Sequence, residues 1–140
     1  KRSRPRSRRM PVADDDRMER DMSFSEALTV AKSDRLRIAR KLWSTPEWFR
    51  DNDRTPGRWL VYVMVLDGQA FGVPLSPVAL FDAPLGPVVL VKLLPLNGAA
   101  VVHVSSYETT LDEMLATDWV VVDESVVAAV VRNIELTVAV

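Results

Sequence analysis

The chain has 140 residues, 48% hydrophobic and 26% charged, the composition of one folded domain and not of a disordered segment. No apolar run approaches the roughly 18–20 residues needed to span a bilayer, so no membrane partner is expected. With no cysteine and His103 as the only histidine, disulfides, thiolate metal sites, a cysteine nucleophile and a zinc site built on two imidazoles are excluded. A Ser/His/Asp relay would have to pass through His103.

Charge is segregated along the chain. Residues 1–58 carry 16 Lys or Arg against 10 acids, whereas residues 59–140 carry 2 against 9, so the net charge of −1 conceals +6 beside −7. Residues 1–21 open with Lys1-Arg2-Ser3-Arg4-Pro5-Arg6-Ser7-Arg8-Arg9 and read as a disordered basic arm, because they have too few apolar side chains to offset the entropy of ordering. Such an arm is a solvated tail whose only expected nucleic-acid contact is non-specific. It has no apolar segment of a secretory signal before Asp14-Asp15-Asp16, and Met10 and Met22 are candidate natural starts.

Ser23-Phe24-Ser25-Glu26 has capping-box spacing and opens a short amphipathic helix ending near Lys32. Alternation of Leu36 and Ile38 with Arg35 and Arg37 predicts a brief strand. Ser44 to Gly57 reads as a loop broken by Pro46, Pro56 and Asp51-Asn52-Asp53, with Trp48 and Phe49 packing it. Trp59 to Leu66 is a β-rich strand ended by Asp67-Gly68, and the four prolines between Val73 and Pro87 predict an irregular excursion. Val88 to Leu94, Asn97-Gly98 and Ala100 to Val104 form a hairpin. Thr110-Leu111-Asp112-Glu113 repeats the capping-box spacing and opens a short helical turn, after which Trp119 to Val122 is a strand. Valine content predicts one or two strands in Ser125 to Val140, with a short helix at Val126 to Arg132 as the alternative. The expected fold is α+β: a short N-terminal helix packed on a small antiparallel sheet, with a helical turn before the closing strand.

No glycine spacing suits a pyrophosphate, so nucleotide hydrolysis is not expected. Asp112 and Glu113 read as favourable charges in a helix first turn, and His103 as a hydrogen-bonded structural histidine in the hairpin. Arg35, Arg37, Arg40 and Lys41 before Trp43 combine cation and aromatic surface, which an anionic planar ligand requires. Taken alone, these bases read first as a solvated strand face and the indole as core, with a nucleotide site second.

Two segments alter that balance. Met22-Ser23-Phe24-Ser25-Glu26-Ala27-Leu28 followed by Ile38-Ala39-Arg40-Lys41-Leu42-Trp43 resembles the Met-x-Phe-x-x-Ala-Leu helix and Arg-x-Gly-Trp stretch of the phage anti-Thoeris nucleotide sponges. Thr110 to Val122 resembles that family's Ser-Gln-Thr-Asp-Leu-Leu-Ala-x-Asp-Trp and valine-rich strand, and Val91-Lys92 with Asn97-Gly98 resembles its Met-Lys-Thr-x-Asp-Gly hairpin. The resemblance covers residues 22–123 as one α+β domain and leaves 124–140 as an apolar C-terminal extension. It implies a non-enzymatic homotetramer, without cofactor or metal, acting in the cytoplasm of the infected bacterium. Its partner would be a cyclic nucleotide immune signal: cyclic ADP-ribose isomers from Thoeris defence and, in some members, cyclic oligonucleotides of related systems such as CBASS. Carried over by position, Trp43 stacks on a base, Arg40 faces phosphate, and Tyr107, Thr110 and Glu113 bind ribose hydroxyls or a base edge. Asp118 and Trp119 match a structural Asp-Trp. Leu42 stands where the family has glycine, and Leu111 stands where it has a glutamine amide able to read a base. The alternative is a non-catalytic structural or protein-interaction module of a phage.

Overall fold

The computed structural model describes residues 20–66 and 78–139. The expected basic arm, apart from its last two residues, and the Asp67-Gly68 stop lie outside the described residues. Helix α1 (Phe24–Ser33) starts where expected: the Ser23 hydroxyl accepts from the Glu26 amide at 3.2 Å and the Glu26 carboxylate accepts from the Ser23 amide at 3.0 Å. These reciprocal bonds satisfy amides that have no partner within the helix. Strand β1 (Arg37–Arg40) runs into a 3-10 turn (Lys41–Ser44).

The expected loop from Ser44 to Gly57 instead contains helix α2 (Pro46–Asp51). Thr45 caps it by accepting from the Trp48 amide at 3.2 Å, and Pro46 occupies the first turn, where its missing N–H costs nothing. Strand β2 (Leu60–Val65) follows as expected, and β3 (Val78–Phe81) falls within the proline-rich excursion expected to be irregular. Strands β4 (Val88–Leu96) and β5 (Ala99–Ser106) form the hairpin, with Asn97 at φ 52° and Gly98 at φ 84°. Asparagine and glycine reach this left-handed region at little cost, which is why the pair makes the turn. Helix α3 (Leu111–Leu115) has the second capping box, formed by Thr110 and Glu113, and precedes β6 (Trp119–Val122).

The strands form one sheet in the order β3-β5-β4-β2-β1-β6. All described pairings are antiparallel except β3 with β5, so the α+β sheet is mixed where a purely antiparallel one was expected. The β-strand expectation for the tail fails: residues 124–139 form helix α4 (Glu124–Ala139). Val127, Val130 and Ile134 recur at helical spacing and bury against Tyr62, Val91, Leu93 and Val102 on one face of the sheet. The tail expected as an apolar extension therefore completes this core. Arg37 to Glu124 at 2.7 Å and Asn133 to the Gly57 carbonyl at 3.1 Å fix the helix laterally.

The opposite face is divided. Helix α1 covers the β2-β1-β6 part, where Ala27 and Ala31 pack with Met22, Ile38, Val63, Trp119 and Val121. The β2-β4-β5 part of that face is left to the segments that build the cleft below. No helix among the described residues is long and apolar enough to cross a membrane.

Candidate functional site

A cleft of about 360 Å³ opens on the face left uncovered by α1. Its floor comes from the sheet. Val61 and Lys92 are register partners on β2 and β4, and side chains alternate along β4, so Leu90 and Lys92 face the cleft while Val89, Val91 and Leu93 face α4. One wall is aromatic: Trp43 from the 3-10 turn, Trp48 from α2 and Trp59 just before β2. The chain has four tryptophans, and three of them line this cleft. Asn52 and Arg54 line the cleft beside them, and Tyr107, Glu108 and Glu113 complete its lining.

Trp43 and Tyr107 are held by a chain of aromatic contacts. Trp43 packs edge-on against Trp119 at 5.4 Å, Phe24 of α1 lies 5.2 Å from Trp119, and Tyr107 lies 6.5 Å from Phe24. Trp119 anchors the set, fully buried, with its indole N–H donating to the Glu113 carbonyl at 3.0 Å. Such offset and edge-to-face arrangements are favourable for rings with positive edges and negative faces. Trp43 and Tyr107 thus rest on the core.

The Tyr107 hydroxyl donates to Glu113 at 2.6 Å. Burial pushes the phenol upward, and the neighbouring Glu113 carboxylate pushes it further, so it stays protonated and keeps donating. Glu113 also accepts from the Thr110 amide at 3.3 Å, which places this carboxylate in both the cap of α3 and the cleft.

Of the five residues expected at the site, Trp43, Tyr107 and Glu113 come together in the cleft. The other two do not line it. Arg40 donates from Nε to Asp118 at 2.8 Å, and the Thr110 hydroxyl accepts from the Glu113 amide at 3.2 Å as the α3 cap. Other bases singled out near Trp43 are also paired: Arg37 with Glu124 at 2.7 Å and Lys41 with Asp21 at 2.6 Å. His103 meets the structural expectation, with Nε2 3.1 Å from Asp82.

The cations available to a ligand are different ones. Among the described residues neither Arg54 nor Lys92 has a carboxylate within ion-pair distance, and both line the cleft. The Arg54 guanidinium lies over the Trp59 ring, 4.0 Å from its centre. One sequence signal for this half of the site was present, namely Trp48 and Trp59 interleaved with Arg50, Arg54 and Arg58. Lys92 had no such local signal. Comparison with protein-family models, curated proteins and solved structures gave no match.

Proposed function

We propose that this protein binds and sequesters a cyclic nucleotide immune signal without cleaving it, in the manner of the anti-Thoeris sponges it resembles. The observation that carries this reading is the composition of one cleft, where three indoles stand beside Arg54 and Lys92, two cations with no carboxylate within ion-pair distance among the described residues. Indole faces stack on bases, and guanidinium and ammonium groups neutralise phosphates. Trp43 and Glu113 belong to the two segments that carry the resemblance, Tyr107 lies three residues before the second, and all three line this same cleft. Phosphate recognition passes from Arg40, neutralised by Asp118, to Arg54 and Lys92. A cleft of about 360 Å³ lies within the usual range of small-molecule sites, about 300–1,000 Å³.

Calorimetric titration with cyclic ADP-ribose isomers and with cyclic di- and trinucleotides tests the reading. Binding of one of them, and its intact release on denaturation, is the expected result. A folded protein that binds none of them rejects it. Trp43→Ala should abolish binding while leaving the oligomer intact, and Trp43→Phe serves as a control that keeps a ring against Trp119.

A second reading, a structural or protein-interaction module, draws on a different observation. Leu111, Met114 and Leu115 of α3 are 68%, 50% and 71% exposed, an unusual density of apolar surface for a five-residue helix. It is favoured if pull-downs recover a defined partner and no nucleotide is released on heating. The homotetramer belongs to the first reading, and light scattering on the purified chain tests it.

A further inference from the structure

Charge in the cleft is divided between its ends. Arg54 lies over Trp59, the residue before Leu60, and Leu60 pairs with Leu93 next to Lys92, whereas Tyr107, which holds Glu113 and precedes Glu108, bonds through its amide to Val88, four residues back along β4 from Lys92 and so about 13 Å away. Glu113 is already engaged by the Tyr107 hydroxyl and the Thr110 amide, but Glu108 is exposed and has no cation within ion-pair distance among the described residues. The remaining surface is indole, Val61 and Leu90, which offer a base their faces, with Asn52 and Ser106, whose Nδ2 and hydroxyl are engaged by the Trp48 carbonyl and by Gly86 and Pro84. A carboxylate wall accepts hydrogen bonds from neutral hydroxyls and repels a second anionic group.

We infer that the cleft is oriented: it takes nucleotides whose phosphates are confined to one end, at Arg54 and Lys92, and whose free ribose diol meets Glu108 at the other. This rests on the nucleotide reading above and adds an orientation to it. Two isomers with the same base and the same two phosphates separate it from simple attraction of anions. Adenosine 5′-diphosphate keeps its 2′,3′-diol, whereas adenosine 3′,5′-bisphosphate replaces the 3′-hydroxyl with a phosphate that must approach Glu108. A basic patch alone would bind the bisphosphate at least as well, because its two monoester phosphates carry the greater charge near neutrality.

The experiment is calorimetry of the full chain with each isomer at physiological ionic strength, on the unaltered protein, Glu108→Gln and Glu108→Lys. Glu108 is an exposed residue outside any helix or strand, so neither substitution disturbs packing. The unaltered protein should favour the 5′-diphosphate by about tenfold or more, as expected where like charges are brought together at a binding surface. Glu108→Gln should narrow the preference, and Glu108→Lys should reverse it. Equal affinities for the two isomers, or a preference that survives Glu108→Gln unchanged, overturn the orientation. Binding of a cyclic nucleotide with no binding of either isomer also overturns it and leaves the nucleotide reading standing, whereas failure of every nucleotide removes both.

Discussion

Asp118 joins β1 to the segment before β6: its carboxylate accepts from Arg40 Nε at 2.8 Å and from the Leu42 amide at 3.1 Å. Burial alone would raise the Asp118 pKa, but these two hydrogen bonds and the Arg40 charge together outweigh it and hold the carboxyl below its ordinary value. A carboxylate depressed in the folded state contributes stability above its unfolded pKa, near 3.9, and loses it as pH falls through the folded value. Thermal denaturation at acid pH should therefore show a limb beginning near the ordinary carboxylate range. Asp118→Asn should lower stability near neutrality and flatten that limb. An unchanged acid limb in Asp118→Asn would place the acid sensitivity elsewhere.

Arg40→Ala follows from the same pair. It strands Asp118 without its charged partner, so it should lower the melting temperature, with Leu42 and the 3-10 turn loosened alongside. Ligand affinity should change only through that loosening, since Arg40 does not line the cleft. Calorimetry well below the melting transition separates the two: an affinity loss as large as that of Arg54→Ala would return Arg40 to the phosphate site.

Tyr107 makes a different statement about pH. Its phenol is pushed above the ordinary tyrosine value by burial and by Glu113, so it does not ionise near pH 10 as a free tyrosine does. Ligand affinity should show no alkaline limb at about pH 9–10 attributable to this residue. Tyr107→Phe removes a hydrogen bond to a carboxylate, a contribution of about 1.5–3 kcal/mol in comparable cases, and chemical denaturation measures it. A loss near zero would show that Glu113 finds equivalent hydrogen bonding without Tyr107.

What local sequence reveals, and what it hides, divides along sequence separation. Both capping boxes and the Asn97-Gly98 turn were legible because each interaction closes within a few residues. The fate of Arg40 was not, because Asp118 lies 78 positions away. Lys92 reaches the cleft only through the pairing of β4 with β2, so nothing beside it in the chain announces a ligand. In the tail, β-propensity of valine obscured a helical spacing that was readable in Val127, Val130 and Ile134. Helix α2 carried a comparable signal in Thr45-Pro46, a cap residue followed by a first-turn proline, and the many turn formers around it hid it.

Helix α4 gives the largest expected loss of stability. Ile134 is fully buried between the helix and the sheet, and Ile134→Ala should cost about 2–5 kcal/mol, from lost burial and the cavity left behind. Ending the chain at Asp123 uncovers Val89, Val91, Leu93, Val102 and Val104 together, so that fragment should not fold cooperatively. A sharp thermal transition in the shortened chain would show that residues 22–123 hold the core without α4.

Arg54 and Lys92 are expected to carry the anionic part of the ligand, and their removal tests this by magnitude and by salt dependence. Both line the cleft without a carboxylate partner among the described residues, so neutralising them relieves no ion pair and should leave stability nearly unchanged. Lys92→Met keeps most of the side-chain volume against Val61 and removes the charge. Arg54→Ala also uncovers the Trp59 face on which the guanidinium rests, so Arg54→Gln is the cleaner comparison. A charge-assisted hydrogen bond contributes about 1.5–3 kcal/mol, so each variant should bind an accepted nucleotide about tenfold or more weakly. Affinity of the unaltered protein should fall with added salt, and each variant should show a shallower dependence, because one fewer charge is screened. Wild-type affinity and an unchanged salt dependence in both variants would remove the phosphate from this end of the cleft.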